Sequence, residues 1–315
     1  MKAVICAAYG GTETLEQRDV DTPTPGPGDV LTRVIATSVN PVDTQARRGW
    51  FPDWFRVPCI LGLDVSGVVE AVGAGVERFK VGDEVFYMAS LGTSGTLAEY
   101  HVAREGLIAA KPKNLSHTEA AAVPLAGQTA WDALYAKGRL RAGESCLVHA
   151  GAGGVGHFAV QLAKAAGCHV FATCRGANRD FVESLGADRT IDYAVEDYRS
   201  VVMDETGGEG VDLVLESMGQ DFIEQAFGVL KPSGRVVSIH IQEQPQSLFA
   251  GFLKNASLHL VALQPTGTML GDLATMIERG QIAPHLEATF SLADISAAHE
   301  QVEAGGVRGK VVVEI

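Results

Sequence analysis

The stretch Gly143–Lys164, GESCLVHAGAGGVGHFAVQLAK, decides the fold, because an apolar run there enters a glycine turn and leaves it as an amphipathic segment. Gly151, Gly153 and Gly156 have the spacing GxGxxG. In a strand-turn-helix unit the first glycine makes the tight turn, the second lets backbone approach a pyrophosphate, and the third lets helix pack on strand. The helix N-terminus then favours an anion through its unpaired N–H groups and its dipole. A purely structural glycine turn can share this spacing, so context carries the reading. Cys146–Ala150 (CLVHA) reads as a buried strand, and Val155, Ala159, Leu162 and Ala163 as a helical stripe.

The next strand, His169–Cys174 (HVFATC), ends where an NAD enzyme needs a carboxylate for the ribose hydroxyls. No acid stands there. Thr173, Cys174, Arg175 and Gly176 occupy the strand end, and the first carboxylate is Asp180, within the following helix. A guanidinium just past the strand can grip a 2′-phosphate in a bidentate way. This favours NADP(H), with Arg175 as its phosphate contact and Arg179 as a second candidate; a solvated surface arginine is the other reading of Arg175.

Composition sets the frame. With 315 residues, 46% of them hydrophobic, the chain can bury two domain cores. A net charge of −13 and the lack of any basic cluster beyond Arg47-Arg48 argue against a nucleic-acid partner. The first residues, MKAVICAAYGG, show no signal-peptide pattern, and no apolar run approaches membrane-spanning length, so a cytoplasmic location without membrane attachment is expected. Cys6, Cys59, Cys146, Cys168 and Cys174 are scattered without a CxxC pair, which reads as reduced thiols and no metal site.

Two regimes share the chain. Residues 1 to about 120 are rich in Val, Gly and Pro, with short runs (30–39, 65–72, 84–88) separated by turn signals, the pattern of a β-barrel-like domain. From residue 118 helix and strand alternate: a helix at 118–137, then strands at 145–150, 169–174, 189–192, 213–216 and 235–240. This is the signature of a doubly wound parallel sheet, a Rossmann α/β fold. After a helix at 269–279 and the linker QIAP, strands at 287–291 and 310–315 flank a helix at 293–304 and close the first domain. The expected division is 1–120 plus 285–315 for the catalytic domain and 121–284 for the dinucleotide-binding domain. Ser257–Gln264 (SLHLVALQ) reads as an apolar edge strand that invites pairing across a two-fold axis, so a homodimer is expected.

The ordered motifs resemble the medium-chain dehydrogenase/reductase superfamily, in its zinc-independent quinone oxidoreductase branch (zeta-crystallin-like). The likeness rests on Asn40-Pro41-Val42-Asp43 with Arg47-Arg48-Gly49, on LGLDVSGVVEAVG at 61–73 followed by Val81-Gly82-Asp83-Glu84-Val85, and on GTLAEYHVA from Gly95. AAVPLAGQTA at 121–130, AGAGGVG from Ala150 and Arg308-Gly309-Lys310-Val311-Val312 complete it. It implies a GroES-like β-barrel domain beside the Rossmann domain. In the zinc alcohol dehydrogenases a cysteine stands at the place of Asn40 and a GHE motif at the place of Gly62-Leu63-Asp64, so two ligands are replaced here. The four-cysteine lobe is also missing from Tyr87–Gly95. Without a Lewis acid the chemistry implied is hydride delivery from NADPH to an electrophilic acceptor, a quinone or an α,β-unsaturated carbonyl. An enoyl-thioester reductase and a non-catalytic NADPH-binding protein are the alternatives.

The resemblance also assigns roles. It places Asn40 in an interdomain cleft near the nicotinamide, with Asp43 and Asp64 orienting Asn40 or Arg47; a capped turn is the other reading of this segment. Gln45, where the family often has tyrosine, and the aromatic run Trp50, Phe51, Trp54, Phe55 stand as a substrate wall or as core. Thr129 is implied at the nicotinamide ribose, Gly153, Gly154 and Val155 at the pyrophosphate, and Tyr193 and Ser217 at the adenosine half. Ile239, His240 and Ile241 follow a strand that opens toward the nicotinamide, and His240 is a proton-transfer candidate or a structural histidine. Lys310 sits where the superfamily has a phosphate-contacting base, or is a solvated strand charge. Cys174 is expected near the adenosine and oxidisable when the site is empty.

Overall fold

The structure is a computed structural model that describes residues 1–219, 221–240 and 248–315. It divides into one unit of Met1–Gln128 with Pro265–Ile315 and a second of Thr129–Gln264.

The first unit opens with β1 (Lys2–Cys6), β2 (Leu15–Asp19) and β3 (Asp29–Val39). Then come α1 (Pro41–Arg47), β4 (Cys59–Ile60), β5 (Asp64–Val72), β6 (Glu84–Met88), β7 (Tyr100–Arg104) and β8 (Ala109–Ala110). The alternation that predicts strands at 30–39, 65–72 and 84–88 is therefore realised almost to the residue. Asn40 caps α1, Pro41 opens it with a preset φ, and the Asp43 carboxylate returns to accept from Asn40 N at 2.8 Å.

The helix expected at 118–137 is broken. α2 (His117–Ala121) starts on the capping box Ser116/Glu119, α3 covers Pro124–Trp131, and a wide helical turn finishes at Lys137. Pro124 has no N–H to continue α2 and its ring clashes with the preceding turn.

The second unit alternates β9 (Ser145–Val148), α4 (Gly156–Ala165), β10 (His169–Cys174), α5 (Arg179–Ser184), β11 (Arg189–Asp192) and α6 (Tyr198–Glu205). It continues through β12 (Val211–Glu216), α7 (Phe222–Gly228), β13 (Leu230–Ser238), α8 (Phe249–Leu253) and β14 (Ser257–Leu260). The six strands lie in the order β11-β10-β9-β12-β13-β14, every neighbour parallel. Such an order switches direction between β9 and β12, and ligands settle outside the carboxyl ends of strands at that point. Leu147, Phe171, Ile191, Val214 and Val236 from the sheet bury themselves under Val202, Ile223 and Phe227 from the helices.

The chain then returns to the first unit as α9 (Gly267–Glu278), β15 (Leu286–Ser291), α10 (Ile295–Ala304) and β16 (Lys310–Glu314). The principal sheet there runs β15-β16-β3-β5-β6-β8; β7 pairs with Asp29–Arg33 of β3 and β16 with Ala36–Val39. The division differs from the expected boundaries at 120 and 285, because α9 belongs to the first unit. Asn114 Nδ2 donates to Ile277 O at 2.9 Å, Lys113 N to Glu278 Oε1 at 3.0 Å, and a Cβ on Gly267 would stand 2.3 Å from Ile108 O. An apolar helical stripe shows that α9 packs; it does not say on which domain.

Candidate functional site

In the sheet unit the expected glycine turn follows β9 and feeds α4. A Cβ on Gly156 would stand 2.1 Å from Ala150 O, and one on Gly151 3.0 Å from Ala172 Cβ, so close packing demands both glycines. Gly153 is different: its nearest such neighbour is Ala150 O at 3.3 Å. The left-handed residue of the turn is Ala150, with φ 51°, and none of the three glycines.

Thr173, a cofactor-contact candidate at the strand end, lines the cavity there and also holds this turn. It is 3% exposed, accepts from Ala150 N at 3.1 Å and pairs with His149 Nδ1 at 3.3 Å. Ser217 likewise donates to His149 O at 3.2 Å, bracing β12 against β9. A residue the sequence reading passed over, Glu216, is fully buried; it accepts from Met218 N, from Gly219 N at 2.7 Å and from Ser238 Oγ at 2.7 Å, so it shapes the turn after β12. Its only sequence signal was an acid ending an apolar strand.

Just past β10, Arg175 is exposed and donates from Nε to the Tyr193 hydroxyl at 2.9 Å. Arg179 spends its guanidinium on Glu196 at 3.0 Å. Among the described residues no ion pair engages Arg175. Beside them a cavity of about 650 Å³ opens at the strand ends, lined by His149, Thr173, Tyr193, Tyr198, Met218 and Phe222 among others. His149, also unforeseen, is 1% exposed, and burial pushes its imidazole down to about 4, so it is neutral. Cys174 is buried and burial pushes its thiol up, which runs against the expected ease of oxidation, because the thiolate is the reactive form.

After β13, Ile239 N donates to Glu216 O at 3.0 Å. His240 N donates to Ser238 Oγ at 3.2 Å, while its Nδ1 is buried and unpartnered among the described residues. Gly219, at φ 74°, passes so close that a Cβ would lie 2.5 Å from that nitrogen. Ile241 falls outside the described residues. Thr129 sits in α3 at 8% exposure.

In the first unit, the residues implied as catalytic come together. Asn40 is 1% exposed, Asp43 1%, Asp64 0% and Lys310 3%. Asp64 accepts from Asn40 Nδ2 at 2.8 Å and from Leu125 N at 2.7 Å; Ser38 Oγ also donates to it. Lys310 Nζ donates to Asn40 Oδ1 and Val39 O and lies 3.7 Å from Asp64. Lys310 is thus no solvated strand charge, and its ammonium is committed inside this unit. Burial holds that ammonium below the usual lysine range, and burial, with Asp64 nearby, raises Asp43 to about 7. Asp43 and Asp64 orient Asn40 and do not orient Arg47, whose guanidinium goes to Gly10 O at 2.5 Å and to Glu303.

The aromatic run divides. Phe55 is 4% exposed and joins the core, while Trp50 (48%) and Trp54 (44%) are open and Phe51 stacks on Trp54 at 5.7 Å. Gln45, at intermediate exposure, carries the run by accepting at its carbonyl from Trp50 N, 3.1 Å away.

A family model described as alcohol dehydrogenase GroES-like domain matches residues 26–113, and one described as zinc-binding dehydrogenase matches 185–313. A quinone oxidoreductase of Pseudomonas aeruginosa is 36% identical over 99% of both chains. Among solved structures, one described as an NAD-dependent alcohol dehydrogenase superposes with a TM-score of 0.93 at 32% identity over all of both chains. The CurK enoyl reductase gives 0.90 at 30% identity, covering 99% of this chain and 98% of that one. The chain belongs to the medium-chain dehydrogenase/reductase superfamily, in its quinone oxidoreductase branch, and is an oxidoreductase by family.

The zinc in the second family description does not fit these residues. Leu63 is apolar and buried, the Asn40 amide oxygen, its metal-binding atom, is taken by Lys310, and among the described residues no three His, Cys, Asp or Glu side chains gather to hold a metal ion.

Proposed function

We propose that the protein transfers hydride from NADPH to a quinone or an α,β-unsaturated carbonyl without a metal. The observation that carries this reading is the end of β10, where Arg175 adjoins the glycine turn with no ion pair among the described residues and the strand end itself, Thr173 to Gly176, carries no acid; the nearest carboxylate, Asp192, comes from β11 and lies against Gly176. A dinucleotide fits these residues: Gly153 leaves backbone open to a pyrophosphate, Arg175 and Tyr193 face the 2′-phosphate, and the cavity beside them takes the adenosine half.

NADPH supplies the hydride when bound; the protein supplies orientation, dryness and hydrogen bonds. Asn40 keeps one amide N–H beyond the one given to Asp64, and that N–H is the donor for an acceptor oxygen. Trp50 and Phe51 offer flat apolar surface to a planar acceptor. With leucine and asparagine at the two ligand places, no Lewis acid is held there to stabilise an alkoxide, and one amide N–H is a weak substitute, so simple alcohols are poor substrates.

A cytoplasmic homodimer completes the proposal. β14 is the sheet edge, and Phe249 (65%), Phe252 (78%), Leu253 (68%) and Leu260 (55%) expose apolar surface beside it. Among the described residues no helix is long and apolar enough to cross a membrane. Sedimentation as a monomer at micromolar concentration rules the dimer out.

The likeness to an enoyl reductase supports a second reading, reduction of an enoyl thioester. A panel of quinones, 2-alkenals, cyclic enones and crotonyl thioesters, each with NADPH and NADH, decides. Turnover of quinones or enones with NADPH supports the proposal. Turnover confined to thioesters selects the second reading, and NADPH binding with no turnover makes the protein a non-catalytic cofactor binder.

A further inference from the structure

Lys310 opens β16, and the antiparallel register that pairs Val311 with Val39 sets it opposite Asn40 across the ladder. The two residues are 270 apart in sequence, yet the ammonium donates to Asn40 Oδ1. An ammonium has donors only, and a carboxylate accepts only, so the amide can sit one way: oxygen toward Lys310, nitrogen toward Asp64. Ser38 Oγ and Leu125 N hold Asp64 in turn. Each polar group of this dry cluster therefore fixes the next. One N–H of Asn40 is left over, with its direction set.

We propose that Lys310 is a positioning residue for Asn40, which it holds in the single amide orientation that presents an N–H to the acceptor, and that it is not a phosphate contact. The proposal rests on the reading of Asn40 as an acceptor-side donor. It follows that Lys310 acts on acceptor reduction through Asn40 and leaves coenzyme binding alone. The ammonium also polarises the amide it touches, which strengthens the remaining N–H as a donor.

The test is a double-mutant cycle of Lys310→Met and Asn40→Ala on the full chain, with NADPH Kd by fluorescence titration and acceptor kcat/KM measured for each. Lys310→Met should lower kcat/KM about tenfold, the scale of coupling between side chains in contact, and leave NADPH Kd unchanged. The double variant should lose no more than Asn40→Ala alone. Because a lone Asp64 carboxylate left buried can unfold the protein, Lys310→Met with Asp64→Asn removes both charges together. That pair should recover the wild-type Tm without recovering kcat/KM, which a merely structural lysine would not give. Weaker NADPH binding in Lys310→Met, additive losses in the cycle, or recovery of both Tm and rate in the neutral pair overturns the proposal. If the wild-type protein binds NADPH but reduces none of the acceptors, the functional reading falls first, and the Kd comparison still decides between positioning and phosphate contact.

Discussion

The two candidate regions, one in each unit, treat their charges in opposite ways. At the end of β10, Arg175 is exposed, makes no ion pair among the described residues and donates to the Tyr193 hydroxyl, which lines an open cavity of about 650 Å³. Around Asn40, Asp64 and Lys310 are 0% and 3% exposed and spend their charges on one another and on the amide between them. The proposed phosphate site keeps its cation unspent. A place built to aim a neutral amide consumes its ions internally, because an isolated buried charge is costly.

The strongest blow to this contrast comes from Asp64→Ala. It strips a buried ammonium and an amide of their shared acceptor and should cost about 3–5 kcal/mol, read as a fall in denaturation midpoint. A loss below about 1 kcal/mol, the scale of a surface pair, would mean the cluster is wet. Arg175→Ala, on the open side, should leave Tm alone and weaken NADPH binding by about 1.5–3 kcal/mol, tenfold to a hundredfold, with NADH unaffected. Equal loss for both coenzymes would make Arg175 a fold residue, and no loss would move the role to Arg179.

Gly156→Ala and Gly153→Ala sharpen the comparison within the turn itself. The first drives a methyl toward Ala150 O, 2.1 Å away, and should cost about 1–3 kcal/mol of stability. The second meets Ala150 O at 3.3 Å, a tight contact that a shift of a few tenths of an ångström relieves, and should lower Tm less than the first while weakening NADPH. Similar Tm losses for both would remove the functional reading of Gly153.

The smallest effect is a pH dependence. Asp43 has a folded value of about 7, raised from 3.8 by burial, so its contribution to stability is complete below the unfolded value and is lost as pH rises through 7. Asp43→Asn has no such loss. Relative to it, the wild type should lose about 1 kcal/mol between about pH 6 and about pH 8. Parallel Tm profiles would show Asp43 ionised throughout.

What was legible in the sequence was local. The glycine turn could be read because strand, turn and helix are adjacent in the chain, and β6 because apolar residues stay together from Val85 to Met88. Lys310 could not be read, since its burial is decided by Asn40 and Asp64, which only the β16–β3 ladder and β5 bring to it. The second task of Thr173 was also illegible: the left-handed Ala150 needs its N–H satisfied, and Thr173 is the acceptor in place. The aromatic run could not be divided from sequence, because only tertiary packing buries Phe55 and leaves Trp50 and Trp54 exposed.

The central claim is metal-free hydride transfer from NADPH. Its most direct test is the loss of NADPH absorbance on mixing the exhaustively chelated protein, assayed for zinc, with a quinone or enone. The account predicts turnover equal to that of the untreated protein, no stoichiometric zinc and negligible oxidation of simple alcohols. A chelator-sensitive alcohol dehydrogenase activity would contradict it.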